Sequence, residues 1–388
     1  MTATATDQVP RPYQRRISQI ERGYLNAAAT GTPQLIQMVV EGVGRIDAEA
    51  LEQAVRGAVL VGPGLAVRRR ATAWRADGPL PPVRVLPDGA GPDHPFFHGD
   101  LDVVTGPVCE VGLSAGPSGT RLVVRASHIV TDGRGLRQWI ADVFRILRGE
   151  EPLGAGAVVD DTHFRKAAGT VPRAEPPARL GGLPAILGRG PAESTPLWNR
   201  RRVPAAPSAV TARVAAAVSR HLATDTGRLI VPVDLRRHDR AVRSTANLTS
   251  QLVLDLRRDD DWKRLHGQVL RALLSKREVA SLEKDFLRSN PFANSLREAQ
   301  ELDGTRFPCT AIVSDHGPVD VEELRTDDFR PTAFFTLPML VPYAEMFLST
   351  CQFGEETEVT LSCRRRPGAL EASDAVLDDV EHALVHTG

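Results

Sequence analysis

The sequence predicts a mixed fold, α/β or α+β, built as two successive halves. Short apolar segments bounded by Gly and Pro alternate with amphipathic helical stripes along the chain. The strongest stripe places Leu136, Trp139, Ile140, Val143, Phe144 and Leu147 on one helix face. A stretch rich in Pro, Gly and Ala, from Glu151 to Pro207, separates this first series from a second. The 388 residues suit two domains of roughly 100–200 residues each. The division expected is 1–170, a Pro-rich crossover or linker over 171–207, and 208–388.

In the first half, residues 33–43 read as a strand. Leu51, Ala54, Val55 and Val59 then share a helix face, with Asp47 placed to cap its start. The surroundings of Trp74 and residues 83–86 read as short strands. Residues 108–113 and 121–128 read as neighbouring strands joined by the turn at 116–119. The helix carrying Leu136 to Leu147 follows and ends near Gly149. In the second half, helices are expected over 209–222, 262–277 and 373–386. Strands are expected over 228–233, 247–256, 310–313, 347–351 and 357–363, the last two pairing across Gly354.

Composition narrows the function. Lys+Arg and Asp+Glu are both 48, so the basic excess of a nucleic-acid binder is missing. Cys109, Cys309, Cys351 and Cys363 form no CxxC and read as buried thiols rather than zinc ligands. The segment from Met1 to Arg16 is polar, with no secretory apolar stretch, and no run of about 18 apolar residues occurs. A cytoplasmic protein without a membrane span is the expectation. His94 and His98 are four apart, but Pro95 and Gly99 make their segment a loop rather than a metal-binding helix. Glycine-rich phosphate loops of Walker or Rossmann type are absent.

Chemistry concentrates in Ser127-His128-Ile129-Val130-Thr131-Asp132-Gly133-Arg134-Gly135, between a strand and the strongest helix. By strand periodicity His128 shares a face with Leu122, Val124 and Ala126, where an imidazole can stay neutral and accept a proton. A lone HxxxD is more often structural, so the reading leans on the rest of the chain. Gly133 and Gly135 are expected to permit a tight turn.

The motif resembles the HHxxxDG signature of the chloramphenicol acetyltransferase-like superfamily, with Ser127 in place of the first His. That superfamily includes nonribosomal-peptide condensation domains, polyketide-associated acyltransferases and wax ester synthases. Further landmarks follow in the family's order. Gly42–Leu51 and Gly62-Pro63-Gly64-Leu65 resemble its opening strand–helix segment and P-x-L turn. Val231-Pro232-Val233-Asp234-Leu235-Arg236, with Asn247 downstream, resembles "vPvdlR…N". Ser314-Asp315-His316-Gly317-Pro318 resembles "SNxG". The DFGWG segment of the plant branch is missing.

The resemblance implies two similar subdomains in a V-shaped pseudo-dimer around a central tunnel. An acyl thioester would enter from one face and the nucleophile from the other. His128 would be the general base, Asp132 would pair with Arg236 to hold the loop, and Gly133 would offer its N–H near the oxyanion. Asn247 is read either as orienting substrate or as a strand-end hydrogen bond, and Ser314, Ser349 and Gln352 as oxyanion candidates.

The implied activity is a stand-alone acyltransferase making an ester or amide from an acyl thioester and an alcohol or amine, in secondary metabolism such as nonribosomal peptide synthesis. No bound cofactor is implied, because the thioester supplies the activation. The competing reading is a silent condensation-like module that recruits a carrier protein. Arginine clusters at 68–70, 200–202 and 364–366 read as solvated faces, or as a dock for an acidic carrier protein or the phosphates of coenzyme A. Clustered around one opening, they would favour the carrier.

Overall fold

The computed structural model describes residues 13–29, 31–117, 119–172, 182–193, 195–282, 299 and 305–386. The first half runs β1 (Gln14–Arg16), α1 (Gln19–Ala28), β2 (Leu35–Gly44), α2 (Ala48–Val61), β3 (Arg68–Arg70), β4 (Ala73–Arg75), β5 (Val83–Leu86), β6 (Cys109–Gly116), β7 (Gly119–Ser127), α3 (Gly133–Leu147) and α4 (Asp161–Ala167). There follow β8 (Leu183–Pro184), β9 (Pro196–Val203), α5 (Val210–Arg220), β10 (Thr226–Asp234), β11 (Thr249–Arg257), α6 (Trp262–Leu274) and α7 (Arg277–Ala280). The chain ends with β12 (Arg306–Phe307), β13 (Cys309–Val319), β14 (Phe329–Thr336), β15 (Ala344–Phe353), β16 (Glu356–Arg364) and a helix over Ala369–Val385.

Two large mixed sheets organise these elements. One has the order β14-β2-β7-β6-β5, the other β11-β10-β13-β15-β16-β9. The hairpin of β6 and β7 pairs Cys109 with Ala126, and that of β15 and β16 pairs Phe347 with Ser362. Helix α2 starts where the sequence indicates, with the Asp47 side chain accepting from the Ala50 N–H at 2.9 Å. Helix α3 buries Leu136, Trp139, Ile140, Val143 and Phe144. Each such side chain is worth about 1.5–3 kcal/mol relative to exposure. In the second sheet the Ala-rich α5 is buried almost all round, joining Val214, Ala215 and Val218 to a core with Leu229, Val313 and Leu348.

Three features depart from the sequence reading. The expectation of an unpacked linker fails at β9, whose eight residues add an edge strand to the second sheet. Its one proline, Pro196, is tolerated as the first residue of an edge strand. Residues 173–181, at the centre of the predicted linker, lie outside the described residues, as do residues 1–12 of the polar N-terminus. Second, β14 lies within 208–388 yet pairs with β2 of the first sheet, with a register shift between Pro331 and Ala333. Phe329 and Phe334 thereby enter the core formed by Met38, Leu122, Leu136 and Phe144. Third, α1 precedes the first predicted element. A capping box starts it: Ser18 Oγ accepts from the Glu21 N–H at 3.1 Å, and Glu21 Oε2 accepts from the Ser18 N–H at 2.8 Å.

Candidate active site

The β7 strand ends at Ser127, and His128 opens a turn that leads into α3. His128 therefore sits just past the strand rather than within it. Four contacts fix the turn and the ring. The His128 N–H donates to the Gln34 carbonyl at 2.8 Å. His128 Nδ1 lies 2.9 Å from the Thr131 carbonyl oxygen. Asn247 Nδ2 donates to the His128 carbonyl at 2.5 Å. The Tyr24 ring of α1 stacks on the imidazole, centroids 4.6 Å apart. The Thr131 carbonyl can only accept, and at 2.9 Å it lies closer to Nδ1 than the Asn247 amide nitrogen at 3.3 Å, so the geometry favours the proton on Nδ1 and the lone pair on Nε2. Among the described residues, Nε2 has no hydrogen-bond partner. Burial depresses the His128 pKa below the ordinary imidazole value, against the opposing pull of Asp132, so the ring is neutral at pH 7.

Asp132 caps α3 and is fully buried. Its Oδ1 accepts from the Gly135 N–H at 2.7 Å, while Oδ2 accepts from the Leu248 N–H at 2.6 Å and Thr249 Oγ1 at 3.1 Å. Arg236 Nη1 donates to Oδ2 at 3.0 Å and also to Asp234 Oδ1 at 2.8 Å, and Nη2 donates to the Ser244 and Ala246 carbonyls. Burial alone would raise the Asp132 pKa, but the Arg236 charge and these hydrogen bonds hold it below the usual carboxylate range. Asp132 is thus an ionised anchor between α3 and the second sheet, without a proton to exchange near neutrality.

The glycines are required for a different reason from the one expected. Neither Gly133 nor Gly135 has positive φ. What each needs is close approach. A Cβ on Gly135 would lie 2.9 Å from the Thr245 carbonyl oxygen, and one on Gly133 would lie 2.5 Å from His316 Cε1.

His128 and Gly133 line a cavity of about 480 Å³ between the sheets. Ser314 and Ser349 also line it, with Ser349 Oγ accepting from Thr336 Oγ1 at 2.5 Å. Two other candidates do not belong to the cavity wall. Asn247 is fully buried behind His128, where its amide holds the backbone of that residue. Gln352 is spent elsewhere, donating to the Pro207 carbonyl at 2.8 Å. One stretch of wall is apolar, formed by Ile230, Ile312, Met339, Val341 and Phe347.

Sequence reasoning missed two contributors. Helix α1 supplies Gln19, Ile20, Gly23 and Tyr24 to the wall, and Arg15 ties its start to the motif. Arg15 Nη1 meets Glu21 at 2.5 Å and Nη2 donates to the Val130 carbonyl at 2.9 Å, all within the interior. The Ser18-x-x-Glu21 pattern could have revealed this helix. His316 is the second omission: it was read as one letter of a landmark, whereas it faces the cavity beside Gly133.

None of the nine arginines of the three clusters lines the cavity. Arg200 bridges Glu358 at 2.8 Å and Glu41 at 2.9 Å, and Arg201 meets Asp378 and Glu381. Arg70 pairs with Asp77, and Arg365 with Asp93. The cations at the cavity are instead Arg134 and Arg137, both on α3. Among the described residues no group of His, Cys, Asp and Glu could hold a metal ion, and no helix is long and apolar enough to cross a membrane.

The fold is similar to that of condensation domains of known structure. The condensation domain of the monacolin K polyketide synthase MokA aligns over 96% of this chain and 96% of its own, at a TM-score of 0.65 and 12% identity. Polyketide synthase associated protein 5 from Mycobacterium tuberculosis aligns over 98% and 100%, at 0.64 and 14%. A variant of the starter condensation domain of rhizomide synthetase RzmA, in complex with C8-CoA and Leu-SNAC, aligns over 96% and 95%, at 0.63 and 14%. No family model matches the sequence, and neither does any curated protein.

Proposed function

We propose that the protein is an acyltransferase that joins an acyl group from a pantetheine thioester to an alcohol or amine, giving an ester or amide. The observation that carries this reading is the state of His128: a neutral imidazole whose Nδ1 proton is committed to Thr131, leaving an unpartnered Nε2 at a cavity with an apolar wall. Such a nitrogen can take the proton of an attacking hydroxyl or amine. The apolar wall suits the acyl chain, and donor and acceptor would enter from opposite faces. Asp132 and Arg236 act as positioning residues, and Gly133 offers the first N–H of α3 to the developing oxyanion.

The donor is written as a thioester of coenzyme A or of a carrier protein. A carrier would gain support from arginine clusters around the opening, but none of those arginines lines the cavity, and Arg70, Arg200, Arg201, Arg202 and Arg365 are paired with carboxylates. The RzmA domain holds C8-CoA in the same fold, which makes octanoyl-CoA the first donor to try. A silent recruiting module would have no use for a base held in one tautomer. A biosynthetic setting among polyketides or peptides fits the relatives.

The test is detection of product mass and free thiol after incubation with acyl-CoAs and a panel of amines and alcohols. Wild-type protein should turn over, and His128→Ala should lose roughly 10²–10⁴-fold. Equal turnover by the two proteins would refute the assignment of the base.

A further inference from the structure

A second imidazole lines the cavity. His316 lies on β13, and its ring edge abuts the first residue of α3. A Cβ at Gly133 would fall 2.5 Å from Cε1 and 2.8 Å from Nδ1. The backbone around it is clamped: Arg137 Nη1 donates to the His316 carbonyl at 2.7 Å and Nη2 to the Pro318 carbonyl at 3.0 Å. Among the described residues, no group hydrogen bonds to the ring nitrogens. Burial, then the nearby Arg137 and His128, push the His316 pKa down to about 4. A neutral imidazole keeps one N–H. The ring is half-buried and its nitrogens are open to the cavity, so that N–H is available to a substrate group that displaces water.

We infer that His316 donates its N–H to the carbonyl oxygen of the acyl group, as a second oxyanion donor beside Gly133. The inference rests on the acyl-transfer reading above. The attacking oxygen or nitrogen bonds to the thioester carbon and its proton passes to His128 Nε2. The carbonyl π pair settles on oxygen, where the Gly133 and His316 N–H groups meet it. The pair then re-forms the carbonyl, the C–S bond breaks, and sulfur leaves with the proton held by His128. Nothing is oxidised or reduced. Neutrality matters here, because a cationic His316 would repel the imidazolium forming on His128. A neutral histidine beside a helix N-terminus is well suited to polarising a carbonyl.

The experiment measures thiol release from octanoyl-CoA by the full chain, with amines, alcohols or water as acceptor, since hydrolysis passes through the same oxyanion. His316→Ala should lower kcat by roughly 10²–10³-fold, the cost of one oxyanion donor, with KM nearly unchanged. His316→Gln retains an N–H donor and should recover at least about tenfold of that loss. Its rate should fall at low pH over the same range as wild type, because His128 sets that limb. Thermal melts establish that both variants fold. A kcat for His316→Ala within about threefold of wild type, or a glutamine variant as slow as alanine, would overturn the inference, being far from the expected range. Turnover abolished by His128→Ala but untouched by His316→Ala would reject this inference alone. No thiol release by wild type with any acceptor would reject the acyl-transfer reading and the inference with it.

Discussion

Asp132→Ala removes the acceptor on which α3, β11 and Arg236 converge, and its cost can be worked from the contacts. The carboxylate accepts from two backbone N–H groups, one hydroxyl and one guanidinium nitrogen, at 2.6–3.2 Å. Breaking a buried ion pair by deleting one partner costs about 3–5 kcal/mol. Loss of the cap on α3 adds about 1 kcal/mol. Against this, Arg236 keeps Asp234 at 2.8 Å and two carbonyl acceptors, so its charge is not wholly stranded. The net expectation is a loss of about 3–5 kcal/mol in urea denaturation, read as a fall in midpoint. Arg236→Met in the Asp132→Ala background removes the stranded cation. The double variant should be more stable than the two single losses predict, by at least about 1.5 kcal/mol. Because the folded Asp132 pKa is depressed, its contribution is complete above the unfolded carboxylate value near 3.9. The gap to wild type should therefore stay constant from pH 8 to 5 and close only as pH falls below about 4. A loss under about 1 kcal/mol, or strictly additive variants, would refute the account of a buried pair.

Other predictions follow from the same geometry. In kcat/KM against pH, the acid limb should lie below the ordinary imidazole value of about 6.5, since protonating the depressed His128 stops it accepting; a limb at or above 6.5 would contradict the neutral, desolvated ring. Gly135→Ala drives a Cβ into the Thr245 backbone and should cost about 1–3 kcal/mol in denaturation, whereas Gly133→Ala meets only the His316 ring and should cut turnover more than stability. Equal stability losses for the two glycine variants would remove that distinction. Arg200→Ala leaves the buried Glu358 with Arg202 and Glu41 with Arg121; these remaining partners and the partial exposure of Arg200 keep the expected loss to about 1–3 kcal/mol, checked by the same melts.

What the sequence made legible, and what it hid, follows from which signals are local. Helix α3 was plain because six apolar residues repeat on one face, and α2 because Asp47 caps an amphipathic run. The β15–β16 pair was plain because apolar strands flank Gly354. Strand β14 was not, because Pro331 argues against a strand and only its edge position and shifted register accommodate it. Strand β9 was hidden by Arg200, Arg201 and Arg202, which imitate a solvated surface until the facing carboxylates of Glu41, Glu358 and Asp378 are known. Within the site, the motif named His128 and Asp132. The roles of Asn247 behind the ring and His316 beside Gly133 depend on contacts across more than a hundred residues, which no spacing rule encodes.

The geometry of the candidate site belongs to neither half of the chain alone. His128, Asp132 and Gly133 come from the first sheet and its helix, while Arg236, Asn247, the Leu248 N–H and His316 come from the second. Each cross-contact is a hydrogen bond or a van der Waals limit, so a displacement of about 1 Å between the sheets would break them together. Three devices oppose such a displacement. Strand β14 leaves the second half to complete the first sheet, carrying Phe329 and Phe334 into its core. Arg200 joins Glu41 of β2 to Glu358 of β16 while lying 3.6 Å over the Phe335 ring. Helix α1, locked by Arg15 to the Val130 carbonyl, presses Tyr24 onto the imidazole from outside both sheets. An imidazole whose tautomer, ring plane and backbone are each fixed by a different element is held by the assembly as a whole. Substitutions at these seams should therefore slow turnover even where no substrate contact is lost, because positioning errors of that size are costly in catalysis.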